Sequence, residues 1–350
     1  MTPALADYTT LGLGGPARSL LTANTEQDLI DAVKAADAAA EPLLLIGGGS
    51  NLVIADAGFP GTVIHVNTRG IDYADAAEGT VEVTVAAGED WDDVVAATVA
   101  EGLAGLESLS GIPGRAGATP IQNVGAYGRE VAEVITQVRV HDRREDQILT
   151  LGNEDCRFAY RTSLFKSTQA RYVVLDVTFR LPRQALSLPV KYAELAAGLG
   201  VALGERASVA EARSAVLKIR ARKGMVLSPG DPDTRSAGSF FTNPIITAAD
   251  FAAVEAAAAA RAAGPVPHYD AGEGLVKVPA AWLIEHAGFA KGYGAPAPAR
   301  VSSKHTLALV NAGSATTADL LALAREIVSG VRSAYGVTLT PEPILIGVSL

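Results

Sequence analysis

Two apolar periods run along this chain, and the places where one gives way to the other mark its elements. Residues 81–85 (VEVTV) alternate strictly, as a strand with one buried face does. Residues 42–46, 52–54, 61–66 and 172–181 are short, nearly unbroken apolar runs that read as strands. Shorter strands are expected at 307–310 and 344–348. Residues 138–140 and 148–151 flank the polar HDRREDQ and predict a hairpin with a solvated tip. Helices are expected over 25–39, 91–101, 208–222, 247–263, 280–287 and 317–335. Two of them open on a capping-box spacing, Thr25 with Asp28 and Ser208 with Glu211. Strands interleaved with helices, without internal repeat, make this an α+β chain.

Two glycine-rich stretches fit neither period. Residues 47–51 (GGGSN) separate two apolar runs, so they read as strand, turn, strand. A P-loop would need Gly-Lys-Ser/Thr and a following helix, and both are absent. Residues 12–17 fail as a Rossmann fingerprint, because no strand precedes them and Pro16 interrupts them. The GGGSN turn still offers successive N–H groups suited to a pyrophosphate, against the plainer reading of a hairpin turn. The longer stretch, residues 109–128 (LSGIPGRAGATPIQNVGAYG), carries glycine at 111, 114, 117, 125 and 128 and two prolines. A loop of that length is usually functional, and Ile112, Ile121, Val124 and Tyr127 make it too apolar for a solvated linker. It reads as a main-chain cradle for a phosphorylated cofactor.

Composition narrows the partners. The 350 residues carry a formal charge of −9, which argues against general nucleic-acid or anionic-membrane binding. Any anionic ligand must therefore meet a local cluster of basic groups. Lys191, Arg220, Arg222, Lys223, Arg235, Arg300 and Lys304 are the candidates, most of them expected to be ordinary surface charges. One cysteine, Cys156, excludes an internal disulfide and a multi-cysteine metal site, and is expected to be buried and structural. The N-terminal residues show no secretory signal, and no apolar run approaches a membrane span, so a cytoplasmic protein is expected. No metal site is expected.

Three further stretches could carry chemistry. In RFAYRTSLFK, Arg161 lies among aromatics and could grip a carboxylate in a bidentate fork. In SAGSFFTNP, Ser239 sits between glycine and two phenylalanines, where an apolar wall would surround its hydroxyl. In TPEPILIG, Glu342 is clamped between prolines before an apolar strand. On residue type alone each could equally be a surface ion-pair partner, a turn residue or a solvated loop charge.

The motifs IGGGSNLV, GIPGRAGATPIQNVGAYG, FAYRTSLF, GSFFTNP and PEPILIG, in that order, closely resemble the UDP-N-acetylenolpyruvoylglucosamine reductase family. The resemblance implies a two-part FAD-binding domain of the vanillyl-alcohol-oxidase (PCMH) type, followed by an α+β substrate-binding domain. The expected division is 1–66, 67–215 and 216–350, with the last strand able to pack back on the first part. The implied reaction is reduction of UDP-N-acetylglucosamine-enolpyruvate to UDP-N-acetylmuramate by NADPH. Hydride passes by way of N5 of non-covalently bound FAD, and a serine supplies the proton. Arg161, Ser239 and Glu342 are the implied catalytic residues. FAD would be held by Gly47, Gly48, Gly49, Ser50, Asn51, Gly111, Ile112, Pro113, Gly114, Gly117, Ala118, Gln122, Asn123, Gly125, Ala126 and Tyr127. Tyr160, Tyr192, Lys223 and Asn243 would meet the substrate, with residues 188–195 (LPVKYAEL) resembling the tyrosine-bearing loop of the family's longer type. Thr242 departs from the lysine that many members place there. A monomer is expected. The competing readings are an FAD-dependent oxidase of the same superfamily and a nucleotide-binding module without catalysis. None of the five histidines lies in a glycine stretch, which counts against a histidyl-linked flavin there.

Overall fold

A computed structural model describes residues 3–168 and 171–350; the first two residues of the N-terminal segment read above for a signal lie outside it. The chain forms two compact units, and the cuts at 16/17, 48/49, 59/60 and 222/223 differ from the sequence-based bounds at 66 and 215.

The larger unit comprises Ala17–Gly48 and Pro60–Arg222. A three-stranded sheet runs Ala17–Ala23, Phe59–Val66, Leu43–Ile46, the last two parallel with Leu43 opposite Thr62. The helix Glu26–Ala38 opens on the expected capping box: Thr25 and Asp28 exchange two bonds of 3.1 Å. It buries Leu29, Ile30, Val33 and Ala36, the stripe its period predicts. A five-stranded antiparallel sheet follows, in the order Gln147–Gly152, Ile135–Asp142, Tyr172–Pro182, Thr80–Ala86, Ile71–Asp75. Val81, Val83 and Val85 point into its core, while the apolar run 172–181 occupies the central strand. The helix Trp91–Ala100 seals the core, with the Trp91 ring 5.7 Å from that of Phe179. Truncating a ring buried this completely costs about 3–5 kcal/mol. Two further helices, Ala193–Leu199 and Val209–Arg222, pack through Val190, Leu195, Val216 and Ile219. Cys156 is buried in the main core, which pushes its thiol up to about 12.

The smaller unit joins the N-terminal segment to Pro16, Gly49–Phe59 and Lys223–Leu350. Its long helix, Thr317–Tyr335, is capped by Thr316 and Asp319 and ends where Gly336 turns at φ 73°. The N–H groups of Thr317 and Ala318 donate to Asp56 at 2.8 and 3.0 Å, so a carboxylate sits on the positive end of the helix. The last strand, Ile344–Ile346, pairs in parallel with Leu52–Ile54.

Two sequence expectations change here. The GGGSN stretch is not a hairpin turn: the strand before it pairs with Phe59–Val66, the strand after it with Ile344–Ile346. The HDRREDQ segment is not all solvated, because His141 and Asp142 are buried at 2% and 0% exposure. Arg171 forks onto the Asp142 carboxylate at 2.6 and 2.9 Å, and that pairing holds it well below the usual carboxylate range.

Candidate active site

The shorter glycine stretch follows Leu43–Ile46. A Cβ at Gly48 would lie 2.7 Å from the Gly114 Cα, so the two glycine stretches touch backbone to backbone. Gly49 turns at φ 57°, and a Cβ there would meet the Tyr8 carbonyl at 1.8 Å. The N–H groups of Gly47, Gly48, Gly49 and Ser50 donate to no carbonyl or side chain among the described residues. Arg115 packs its side chain against Gly47, at 3.0 Å from a Cβ placed there. Its buried Nε has no hydrogen-bond partner among the described residues, and burial lowers its pKa. The Gly47 and Gly48 N–H dipoles, in the same unit as the half-buried Arg115 guanidinium, suit an anionic group such as a pyrophosphate. Arg115 lay within a quoted motif but was not singled out; only its contact with Gly47 reveals it.

The longer stretch is laid along residues 87–92. Gly117 and Ala116 donate to the Ala87 and Glu89 carbonyls at 2.9 Å, and the Trp91 N–H takes the Gly114 carbonyl at 3.1 Å. The Trp91 indole reaches the Leu109 carbonyl at 3.2 Å. Gly111 donates to Asp92 at 2.6 Å, and Arg213 forks onto the same carboxylate at 2.6 and 2.9 Å. Burial raises the Asp92 carboxyl, but Arg213 and the Gly111 N–H outweigh it and leave the group below its ordinary value. Asp92 and Arg213 escaped the sequence reading because neither lies in a glycine motif.

These bonds correct the picture of a cradle made of free amides. The N–H groups of Gly111, Gly117 and Ala118 are spent within the protein, Ala118 on the Arg115 carbonyl. Gly117 is required by packing, since a Cβ would fall 2.5 Å from that of Ala87. Asn123 is 1% exposed, and its amide serves Glu130, the Ala159 carbonyl and the Ala132 N–H, so it buttresses the loop. Ile112, Pro113, Gly114 and Gln122 remain half-buried along the stretch.

The end of the stretch is a two-stranded hairpin, Gly125–Ala126 with Arg129–Glu130. Tyr127 and Gly128 form its turn at φ 52° and 78°, both positive as a type I′ turn requires. A tyrosine there costs on the order of 1–2 kcal/mol. Its ring meets Tyr192 edge to face at 5.4 Å, and burial pushes its hydroxyl up to about 12. The nearly buried Arg220 bonds that hydroxyl, and burial lowers the guanidinium's own pKa. The Gly125 carbonyl accepts from Arg161 Nη2 at 3.0 Å, and the Arg161 guanidinium lies 5.5 Å over the Tyr160 ring. Arg161 itself sits at φ 54°. Hairpin, Arg161, Tyr160, Tyr192 and Arg220 are thus assembled within the larger unit.

In the smaller unit Ser239 and Glu342 are brought together. The Glu342 N–H donates to the Phe240 carbonyl at 2.9 Å, and Phe241 bridges Pro341. Phe240 and Phe241 are 0% and 1% exposed, with rings 5.1 Å apart, so half-buried Ser239 leads directly into a pair of core residues. Asn51 Nδ2 reaches the Glu342 carbonyl at 3.4 Å, and Ile344 donates to the Asn51 carbonyl at 2.9 Å. Asn243 accepts from the Ala280 N–H at 2.9 Å, at the start of the helix Ala280–His286. Lys223 follows the helix Val209–Arg222 and is half-buried. Lys304 pairs with Asp231.

Similarity to known proteins fits this geometry. A family model described as an FAD binding domain matches residues 17–152, and one described as the C-terminal domain of UDP-N-acetylenolpyruvoylglucosamine reductase matches residues 231–346. A Thermobifida fusca protein named UDP-N-acetylenolpyruvoylglucosamine reductase is 55% identical over 349 residues, spanning 99% of this chain and 97% of that protein. The chain belongs to the UDP-N-acetylenolpyruvoylglucosamine reductase family. A Streptomyces coelicolor member is 58% identical across 99% of this chain and 90% of its own length. A solved structure of the Thermus caldophilus member aligns at a TM-score of 0.63 and 26% identity, over 99% and 98% of the two chains. The FAD-binding match falls largely in the larger unit and the family's C-terminal match wholly in the smaller.

Proposed function

We propose that this chain reduces the enolpyruvyl ether of UDP-N-acetylglucosamine-enolpyruvate to UDP-N-acetylmuramate with NADPH, as a cytoplasmic monomer that makes a peptidoglycan precursor. The observation that carries the reading is kinship over essentially the full length with relatives named for that reductase. FAD, held without a covalent link, supplies when bound the carrier through which two electrons pass from NADPH to the vinyl carbon.

The chain's own residues fit the rest of the chemistry. The Gly47 and Gly48 N–H groups and the Arg115 guanidinium suit the pyrophosphate. Negative charge must build on the carbon beside the carboxylate, and stabilising such charge is usually the largest catalytic term. Arg161 is the cation for it, held in place through the Gly125 carbonyl and the Tyr160 ring. Ser239 donates the proton to that carbon. A serine is a weak acid, so this needs a strongly basic enolate and a dry site. Glu342 orients groups at the enolate or shares its proton, and Tyr192, Lys223 and Asn243 hold the sugar nucleotide. Absorbance of the purified protein tests the whole reading. Bound-flavin bands should bleach with NADPH and return on adding the enolpyruvyl UDP-sugar; bands that bleach but do not return would exclude it.

A further inference from the structure

The segment 188–192 that carries Tyr192 is tied to the rest of its unit at several points. The Leu188 N–H donates to the buried Glu107 at 3.1 Å, and Val190 exchanges main-chain bonds of 2.8 Å with Glu205 and Gly204. Those bonds fix one edge of the segment. Its other edge faces the hairpin Gly125–Glu130, and one side chain spans the gap. Arg129, 9% exposed, gives Nη2 to the Pro189 carbonyl at 2.7 Å and Nη1 to Glu133 at 2.6 Å. Glu133 in turn takes the Lys191 ammonium at 3.3 Å and the Glu130 N–H at 3.2 Å. A Cβ at Gly128 would stand 2.8 Å from that of Lys191, so segment and turn are in close contact. The Tyr192 ring rests edge-on against Tyr127 while staying 40% exposed.

We propose that Arg129 is a positioning residue for substrate: it clamps the Pro189 carbonyl so that Tyr192 is presented from the same hairpin that holds Arg161. The inference rests on the reading of Tyr192 as a substrate-contacting residue. Three parts of one hairpin then serve three tasks. The Gly125 carbonyl holds Arg161, the Tyr127 turn supports the Tyr192 ring, and Arg129 ties down the chain two residues before Lys191. The guanidinium is suited to this, because its planar fork serves a carbonyl and a carboxylate together. An ammonium at the same place is a single point donor and lacks the fork that directs the two bonds apart.

Arg129→Gln and Arg129→Lys test the clamp. In Arg129→Gln the KM for the enolpyruvyl UDP-sugar should rise about tenfold, the loss of one charge-assisted bond. Reduction of the bound flavin by NADPH alone, followed by stopped-flow absorbance, should stay within about twofold, because no contact to the GGGSN turn changes. Limited trypsin digestion without substrate reads the segment directly: cleavage after Lys191 should become several-fold faster. Arg129→Lys should fall between parent and Arg129→Gln in both KM and cleavage. An unchanged KM with unchanged cleavage would overturn the proposal. So would equal slowing of both half-reactions with loss of flavin, which would make Arg129 a general fold residue. If the parent itself does not turn over the sugar nucleotide, the functional reading falls, and cleavage after Lys191 still decides whether Arg129 holds the segment.

Discussion

Replacing Gly48 with alanine probes the contact between the two glycine stretches. The added methyl would sit 2.7 Å from the Gly114 Cα, 3.2 Å from its carbonyl carbon and 3.4 Å from its nitrogen. Carbon atoms in contact prefer about 3.5–4.0 Å, so the two backbones must part by roughly 1 Å. Both neighbours are main chain, and no flexible side chain can absorb the strain. Overpacking of this kind costs about 1–3 kcal/mol, which a protein with about 5–15 kcal/mol of stability survives. The effect on FAD should be larger. Hydrogen bonds from N–H to an anion weaken steeply once the donor moves about 1 Å beyond its usual ~2.9 Å. Losing one charge-assisted bond, worth about 1.5–3 kcal/mol, should weaken FAD binding by roughly ten- to a hundred-and-fifty-fold. Titrating FAD into flavin-free protein and following flavin fluorescence measures this, with a melting curve of the same samples. Gly198→Ala is the control: its Cβ would lie 3.4 Å from Ile219 Cδ1, an ordinary contact within a helix. That change should leave FAD affinity alone and add about 0.5–1 kcal/mol of stability. A folded Gly48→Ala protein with parent affinity for FAD would refute the idea that these two turns hold the cofactor.

Two more changes test single groups. Ser239→Ala should leave NADPH reduction of the flavin within about twofold while reoxidation by the enolpyruvyl substrate falls about a hundredfold or more, the usual worth of a positioned proton donor; equal slowing of both steps would make Ser239 structural. Asp92→Asn breaks the fork to Arg213. The parent carboxyl is depressed in the folded state, so its stabilisation is complete above the unfolded value of about 3.9 and disappears as pH falls through the lower folded value. The melting-temperature gap between parent and Asp92→Asn should therefore be open at pH 7 and close below about pH 4. A gap that stays constant down to pH 2 would contradict the assignment of that stability to the ionised pair.

Local signals were legible in the sequence because their causes are local. The alternation at Thr80–Ala86 and the cap-to-glycine span of Thr317–Tyr335 are written within a few residues of where they act. The pairing of Leu52–Ile54 with Ile344–Ile346 is not written locally: only the family resemblance suggests that the last strand packs back on the first part, and nothing near residue 52 names its partner. The same holds for Asp92 and Arg213, which lie 121 residues apart and meet only in the fold. Asp142 was misread for a related reason. A carboxylate in a run of charges looks solvated until Arg171, 29 residues on, is seen to neutralise it in the core. The strand Ala17–Ala23 is not legible because its residues, ARSLLTA, carry no clean two-residue period and only its two end alanines are buried. The motif residues were found, but their division of labour was not. Gly117 and Asn123 have, besides the ligand role their motif implies, packing and bracing roles that only the fold reveals.

That division explains how a chain of charge −9 can be built to meet anions. Many of its guanidinium groups are spent internally: Arg129 on Glu133, Arg171 on Asp142, Arg180 on Glu82, Arg213 on Asp92. They organise loops and strands, and their charge is largely cancelled at the point of contact. The groups suited to the pyrophosphate are of another kind. The Gly47 and Gly48 N–H groups carry partial positive charge without adding to the formal total, and Arg115 against Gly47 brings only one further cation. Dipoles fixed by backbone packing pay little reorganisation when an anion arrives, whereas mobile surface lysines must be immobilised first. The glycines at 48 and 114 make that fixed arrangement possible by letting two main chains touch, so the proposed pyrophosphate site rests on shape at those residues more than on the protein's overall charge.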